Sequence, residues 1–212
     1  MEITQDRIKK AQEPNMWSIG NQVLYNLCKE SPANTRNDIV VAKLWLIGRS
    51  YSAAIERKPT GPYKTTEEIY KFGVPEELVK FGEQLDEKIG LLKKEQRITK
   101  EILPQIIETH VFLTKIFNEI SGKDNRSLAS KYLHFHAPEF FYIYDSKAVK
   151  NIGNYIKLDK NLKQEIMCKS STYDKAYIDF AVKMFQLNER IENEYPDVWL
   201  TPRQLDIFLL EY

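Results

Sequence analysis

No stretch of this sequence stays apolar for the roughly 20 residues that a membrane-crossing helix requires. Its first residues, MEITQDRIKKAQ, lack the apolar segment of a secretory signal. These absences lead us to expect a soluble, cytoplasmic protein with no membrane partner. Cysteine is almost missing too. Cys28 and Cys168 stand alone, without the spacing of metal ligands or of a redox pair, and read as reduced core residues. Charge of either sign is not in excess: 31 basic and 30 acidic residues leave a net charge of +1, so bulk electrostatics select no class of partner. There is no glycine-rich phosphate loop, no HExxH and no nucleophile elbow. His134 and His136 are two residues apart, which on a helix turns them about 200° from each other. They do not share a metal without further ligands, and we expect no metal site.

What remains is a globular composition, 42% hydrophobic and 29% charged, which excludes wholesale disorder. A chain of 212 residues suits a single domain over 1–212, with the proline- and glycine-rich loop 58–66 (KPTGPYKTT) as a lobe boundary or a lid. Apolar residues recur with helical rather than alternating spacing almost throughout, so the fold class is all-α, a compact multi-helix domain. Helices are expected over 4–12 and 16–29, then from Asn37 as N-cap to about Arg57. A short helix over 66–72 precedes one from Val74 to about Lys94, with Pro75 in its first turn. A strongly apolar helix spans Thr99 to Ile120, with Pro104 tolerable only near its start. Asp124 is the expected cap of the next helix and Asp145 of the one that runs to about Tyr155. Helices over Asp159–Lys169 and Thr172–Glu194 follow. Thr201-Pro202-Arg203-Gln204 reads as a capping box that launches a final helix to Leu210.

Chemically capable side chains crowd into Ser121–Asn151, SGKDNRSLASKYLHFHAPEFFYIYDSKAVKN, which holds two of the three histidines. On a helix Ser127, Lys131 and His134 follow i, i+4, i+7 and share one face, with Ser130 beside them. Pro138 stops that helix, and Phe140, Phe141, Tyr142 and Tyr144 lead straight to Asp145. At the head of the next helix the Asp145 carboxylate would sit beside the positive end of the helix dipole. Lys123 to Lys169 carries nine Lys/Arg against five Asp/Glu, and Gln186 to Tyr212 carries two against six. A basic middle suits an anionic ligand, although solvated faces read the same way. In GRSYSAAIER (48–57), Arg49, Ser52 and Glu56 recur on one face amid small residues. Arg49, Tyr51 and Glu56 are therefore candidate ligand contacts, and an Arg–Glu pair tying helices together is the plainer reading. Core or capping roles are the plainer reading for the histidines, and an N-cap role for Asp145.

The order apolar helix, tight turn with Gly122, helix containing Ala129, Pro138 and then an apolar approach to Asp145 resembles the helix-hairpin-helix DNA glycosylase family, 8-oxoguanine glycosylase-like, over about 101–155. That resemblance implies DNA as partner and a helix-hairpin-helix-like element. Its turn, Gly122, Lys123, Asn125 and Arg126, would hold a DNA phosphate with the help of the helix N-terminus. Of the family's two hairpin glycines only Gly122 is matched. The lysine of bifunctional members falls at Arg126–Leu128, one helical turn before Lys131, so the activity implied is monofunctional base excision without a cofactor. A base flipped from the stack would meet Tyr142 or Tyr144. Asp145 would stabilise the cationic sugar, and His134 or Lys131 would assist the departing base. Two other readings stand beside it: a non-catalytic helical interaction module, and an enzyme acting on a small nucleotide in the same pocket.

Overall fold

The computed structural model describes residues 1–169 and 174–210, and among these residues the chain is helical without strand. The helices are α1 (Gln5–Gln12), α2 (Ser18–Glu30), α3 (Asn37–Ser50), α4 (Thr66–Glu68), α5 (Gly82–Leu92), α6 (Leu103–Ser121), α7 (Arg126–His136), α8 (Ser146–Asn151), α9 (Lys160–Lys169), α10 (Lys175–Glu194) and α11 (Pro202–Leu210). A π-helical stretch, Ile69–Val79, continues α4, and a 3₁₀ turn, Ile152–Asn154, continues α8. None of the helices among the described residues is long and apolar enough to cross a membrane.

Helix starts follow local chemistry. Thr4 caps α1, and its hydroxyl accepts the Arg7 N–H at 3.4 Å. Thr65 and Glu68 form a reciprocal capping box at α4. Thr201 and Gln204 exchange the same pair of bonds at α11, at 3.3 and 2.9 Å. Asp145 caps α8 as its spacing suggests, accepting the Lys147 N–H at 2.9 Å. Pro104 lies in the first turn of α6, where its missing N–H costs nothing.

Five expectations need correction. First, α3 ends at Ser50, not Arg57. Ser52 turns the chain with φ 52°, and Ala53 N–H closes back on Gly48 O at 2.8 Å. A Cβ on Gly48 would stand 3.0 Å from Ala54 Cα, so the turn packs tightly against that glycine. Second, Arg49, Ser52 and Glu56 consequently share no helical face. Third, Pro75 lies inside the π stretch rather than at a helix start. There Lys80 N–H bonds Pro75 O five residues back, at 3.2 Å, and the wider turn relieves the crowding a proline imposes on an α-helix. Fourth, the residue before α7 is Asn125, left-handed at φ 44°, while Asp124 instead accepts from Asn118 Nδ2 at 2.9 Å. Fifth, Cys28 is buried as read, but Cys168 is exposed. The expected start of α10 at Thr172 lies outside the described residues; within them the helix begins at Lys175, capped by Asp174.

Packing centres on α6 and α7. Every residue of α7 from Leu128 to His136 is buried, against α2, α3 and α6. The core is one cluster that draws on residues both before and after the loop 58–66. That loop lies on the turn between α6 and α7: Thr60 and Gly61 N–H both bond Ser121 O, at 2.7 and 2.8 Å. At the far end of the chain α11 packs on α1 and α8. A helix more than 50 residues downstream is thus brought beside Asp145.

Candidate functional site

The polar face of α7 fastens the extended segment that delivers Asp145. Ser130 Oγ accepts the Tyr144 N–H at 2.9 Å, His134 Nδ1 meets Phe141 O at 2.9 Å, and Lys131 Nζ donates to Tyr144 O at 3.1 Å. Lys131 also donates to Ser127 Oγ at 2.6 Å, so two of its three N–H donors are used. Burial pulls the Lys131 amine below the usual lysine range, with Asp145 and Asp206 opposing. The spacing read from the sequence is therefore real, and its first product is the placement of a backbone segment.

At the end of that segment an open cleft of about 630 Å³ is lined by Lys131, Asp145, Tyr51, Arg203 and Asp206, with Trp17 and Asn21 from the start of α2. Trp17 is 66% exposed at this wall, a large apolar ring in water. Tyr51 donates its hydroxyl to Asn21 Oδ1 at 2.6 Å and lies under Lys131 Nζ, 5.7 Å from the ring centre. Arg203 also stands over that ring, at 6.0 Å, and donates to Asp206 Oδ2 at 3.1 Å. Asp206 is 2% exposed, and burial raises its carboxyl to about 6, with Arg203 and Lys131 pulling it down and Asp145 pushing it up. Two cations and two carboxylates from two distant parts of the chain, α7–α8 and α11, thus face one space.

Not every residue singled out by sequence reaches it. His134 is fully buried; with Nδ1 donating to Phe141 O, its Nε2 accepts from the Tyr25 hydroxyl at 2.7 Å, and neither nitrogen is left for a substrate. Burial holds the ring neutral, its pKa lowered to about 3. His136 is arranged alike, between Tyr132 O at 2.8 Å and Lys43 Nζ at 3.0 Å. Tyr142 is wholly buried, and Tyr144 packs on Tyr177 and Phe180. Neither lines the cleft. Arg49 pairs with Glu56 at 2.6 Å, and Tyr70 donates to the other oxygen of Glu56 at 2.8 Å, a tie between the end of α3 and the π stretch. Of the sequence candidates, Lys131, Asp145 and Tyr51 converge.

The turn between α6 and α7 spends its polar groups on the protein. Lys123 Nζ donates to the carbonyls of Arg57 and Lys58, Asn125 Nδ2 donates to Ser121 Oγ at 2.6 Å, and Arg126 pairs with Asp174 at 2.7 Å. Gly122, at φ 73°, lies so close to Gly61 that a Cβ would fall 2.4 Å from Gly61 N. Arg203, Asp206, Asn21 and Trp17 were missed by the sequence reading. One signal existed for Asp206: a lone acid in PRQLDIFLL, on a helix whose other inward residues are apolar. Among the described residues no group of three or more His, Cys, Asp or Glu side chains is arranged to hold a metal ion. No family model, curated protein or solved structure matches this chain.

Proposed function

We propose that the cleft binds a nucleoside unit and cleaves its N-glycosidic bond, releasing the base, in the manner of a monofunctional DNA glycosylase. The observation that carries this reading is the convergence of Asp145, at the head of α8, and Lys131, from the middle of α7, on one open cleft. A volume of about 630 Å³ lies in the range of small-molecule sites and accommodates a base with its sugar. Rupture of the bond leaves positive charge on the sugar and negative charge on the base. Asp145 faces the sugar, stabilises the cation and orients the attacking water, whose oxygen bonds to C1′ while its proton passes to the carboxylate and on to the base. The Lys131 ammonium stabilises the charge that builds on the departing base. Trp17 offers an apolar ring for stacking at the wall, and Tyr51, held by Asn21, seats both cations against its ring. The α6–turn–α7 pair carries the resemblance to the helix-hairpin-helix family.

A free nucleoside or nucleotide is the second substrate reading. It is favoured by the turn, where Lys123 and Arg126 are committed to backbone carbonyls and to Asp174 instead of being left for a DNA phosphate. The experiment offers the full chain oligonucleotides carrying normal, oxidised, deaminated and alkylated bases, together with the corresponding nucleosides, and measures free base. Release from oligonucleotides supports DNA, release from nucleosides alone supports the second reading, and release from neither rejects the cleavage chemistry.

A further inference from the structure

Among the described residues, Asp206 carries the one buried side-chain oxygen of the cleft lining that has no hydrogen-bond partner. Its Oδ2 is held by Arg203 at 3.1 Å, while Oδ1 is buried with no hydrogen-bond partner among the described residues. The side chain is 2% exposed and belongs to the cleft lining. A buried carboxylate oxygen without a donor costs free energy in a free protein, and a ligand that supplies an N–H recovers it. Arg203 fixes the carboxylate and is itself steadied over the Tyr51 ring, so the acceptor is set before a ligand arrives. Beside it Lys131 has one N–H donor not used by Ser127 or Tyr144. The charged and titratable groups that act on Asp206 are Arg203 on its own helix, Lys131 on α7 and Asp145 at α8, and its carboxyl acts in turn on Tyr25 and Tyr51.

We propose that Asp206 is the specificity-determining residue of this cleft, accepting an N–H from the hydrogen-bonding edge of a heterocyclic base while Lys131 donates to the adjacent acceptor. The ligand class is a purine or pyrimidine whose Watson–Crick edge is unsubstituted and offers a donor next to an acceptor. A base alkylated on that edge brings a methyl group against a buried carboxylate and leaves Oδ1 unpaired. This rests on the reading of the cleft as a base pocket, but it concerns recognition and not bond cleavage.

The test measures binding of matched pairs to the isotopically labelled full chain by nuclear magnetic resonance titration at pH 7.5. The pairs are guanosine with 1-methylguanosine, uridine with 3-methyluridine, and adenosine with N6,N6-dimethyladenosine, each as nucleoside and as the central residue of a short oligonucleotide. The expected result is that in at least one pair the unsubstituted member binds about ten- to a hundredfold more tightly, with shifts at residues of the cleft. In Asp206→Leu that ratio falls to near one, and in Asp206→Asn, which keeps an acceptor, part of it survives. Equal binding within all pairs, no binding of any, or a preference unchanged in folded Asp206→Leu would overturn the proposal. Edge-dependent binding without base release upholds it while rejecting the cleavage chemistry. Base release whose substrate preference survives Asp206→Leu does the reverse.

Discussion

His134 and His136 each donate through Nδ1 to a carbonyl and accept through Nε2, an arrangement open only to the neutral ring. His110 donates to Arg126 O, and all three rings are buried with pKa values lowered to about 3. A histidine whose folded pKa is depressed binds its proton in the unfolded chain, so stability is present above about 6.5 and lost as pH falls. Asp206 works in the other direction. Its pKa, raised to about 6, lets the folded state hold a proton that the unfolded state gives up between pH 6 and 4. At pH 5 these four groups together should take up about two protons on unfolding, three gained on histidine and one released, a contribution of nearly 3 kcal/mol per pH unit. Denaturant titrations between pH 4.5 and 5.5 measure that slope, and a flat profile would contradict the burial of these rings. Above pH 6 the charge on Asp206 is a net cost of roughly 3 kcal/mol at most. Asp206→Asn should accordingly stabilise the protein by about 1–3 kcal/mol at pH 7.5, with the gain fading toward pH 4. A destabilised Asp206→Asn at pH 7.5 would mean that the carboxylate is better satisfied than its lone oxygen indicates.

Element boundaries show which local signals survive packing. Starts that carry a side-chain cap, at Thr4, Asp145 and Thr201, were legible because each contact is made within four residues of sequence, whereas α6 begins at Leu103 and not at the expected Thr99. The end of α3 was not. Nothing in GRSYSAAIER stops a helix by propensity; the turn at Ser52 is set by Gly48 meeting Ala54 and by the tie from Glu56 to Arg49 and Tyr70. The π stretch was equally hidden, since its wide turns have no apolar period that differs usefully from a helix. Half of the cleft could be read for the same reason. Lys131 and Asp145 lie on one short segment, whereas Arg203 and Asp206 arrive on α11 through packing against α8, a contact no spacing reveals. One element-scale prediction concerns the turn beneath the loop 58–66. Gly122→Ala must strain a left-handed residue and push the new methyl against Gly61 N and Thr60. It should cost more than about 3 kcal/mol in chemical denaturation. A loss below about 1 kcal/mol would show that the loop does not lie on the turn. At α11, Thr201→Ala should cost about 1 kcal/mol through its cap alone.

Across the whole molecule, the two halves on either side of the loop 58–66 share one core, and α11 closes back on α1. A single cooperative unfolding transition is expected, with helix content and tryptophan fluorescence changing together. Separate transitions would assign the halves to different units. The same closure builds the cleft, because Trp17, Tyr51, Lys131, Asp145 and Asp206 meet only when the N-terminal, central and C-terminal helices are all in place. Its chemistry comes down to one carboxylate with two roles, a cap for α8 and a counter-charge for a cationic sugar. Asp145→Asn separates them. Asparagine caps a helix about as well as aspartate, so folding stability should change by less than about 0.5 kcal/mol. The charge opposite the sugar is lost, and electrostatic contributions of this kind are commonly worth about 100- to 1,000-fold in rate. The most direct measurement is single-turnover base release by wild type and Asp145→Asn on whichever substrate the wild-type protein cleaves. The expected result is a folded variant that still binds that substrate and releases its base at least about a hundredfold more slowly. Release at the wild-type rate by Asp145→Asn, or no release by the wild type from any oligonucleotide or nucleoside offered, would contradict the function proposed for the cleft.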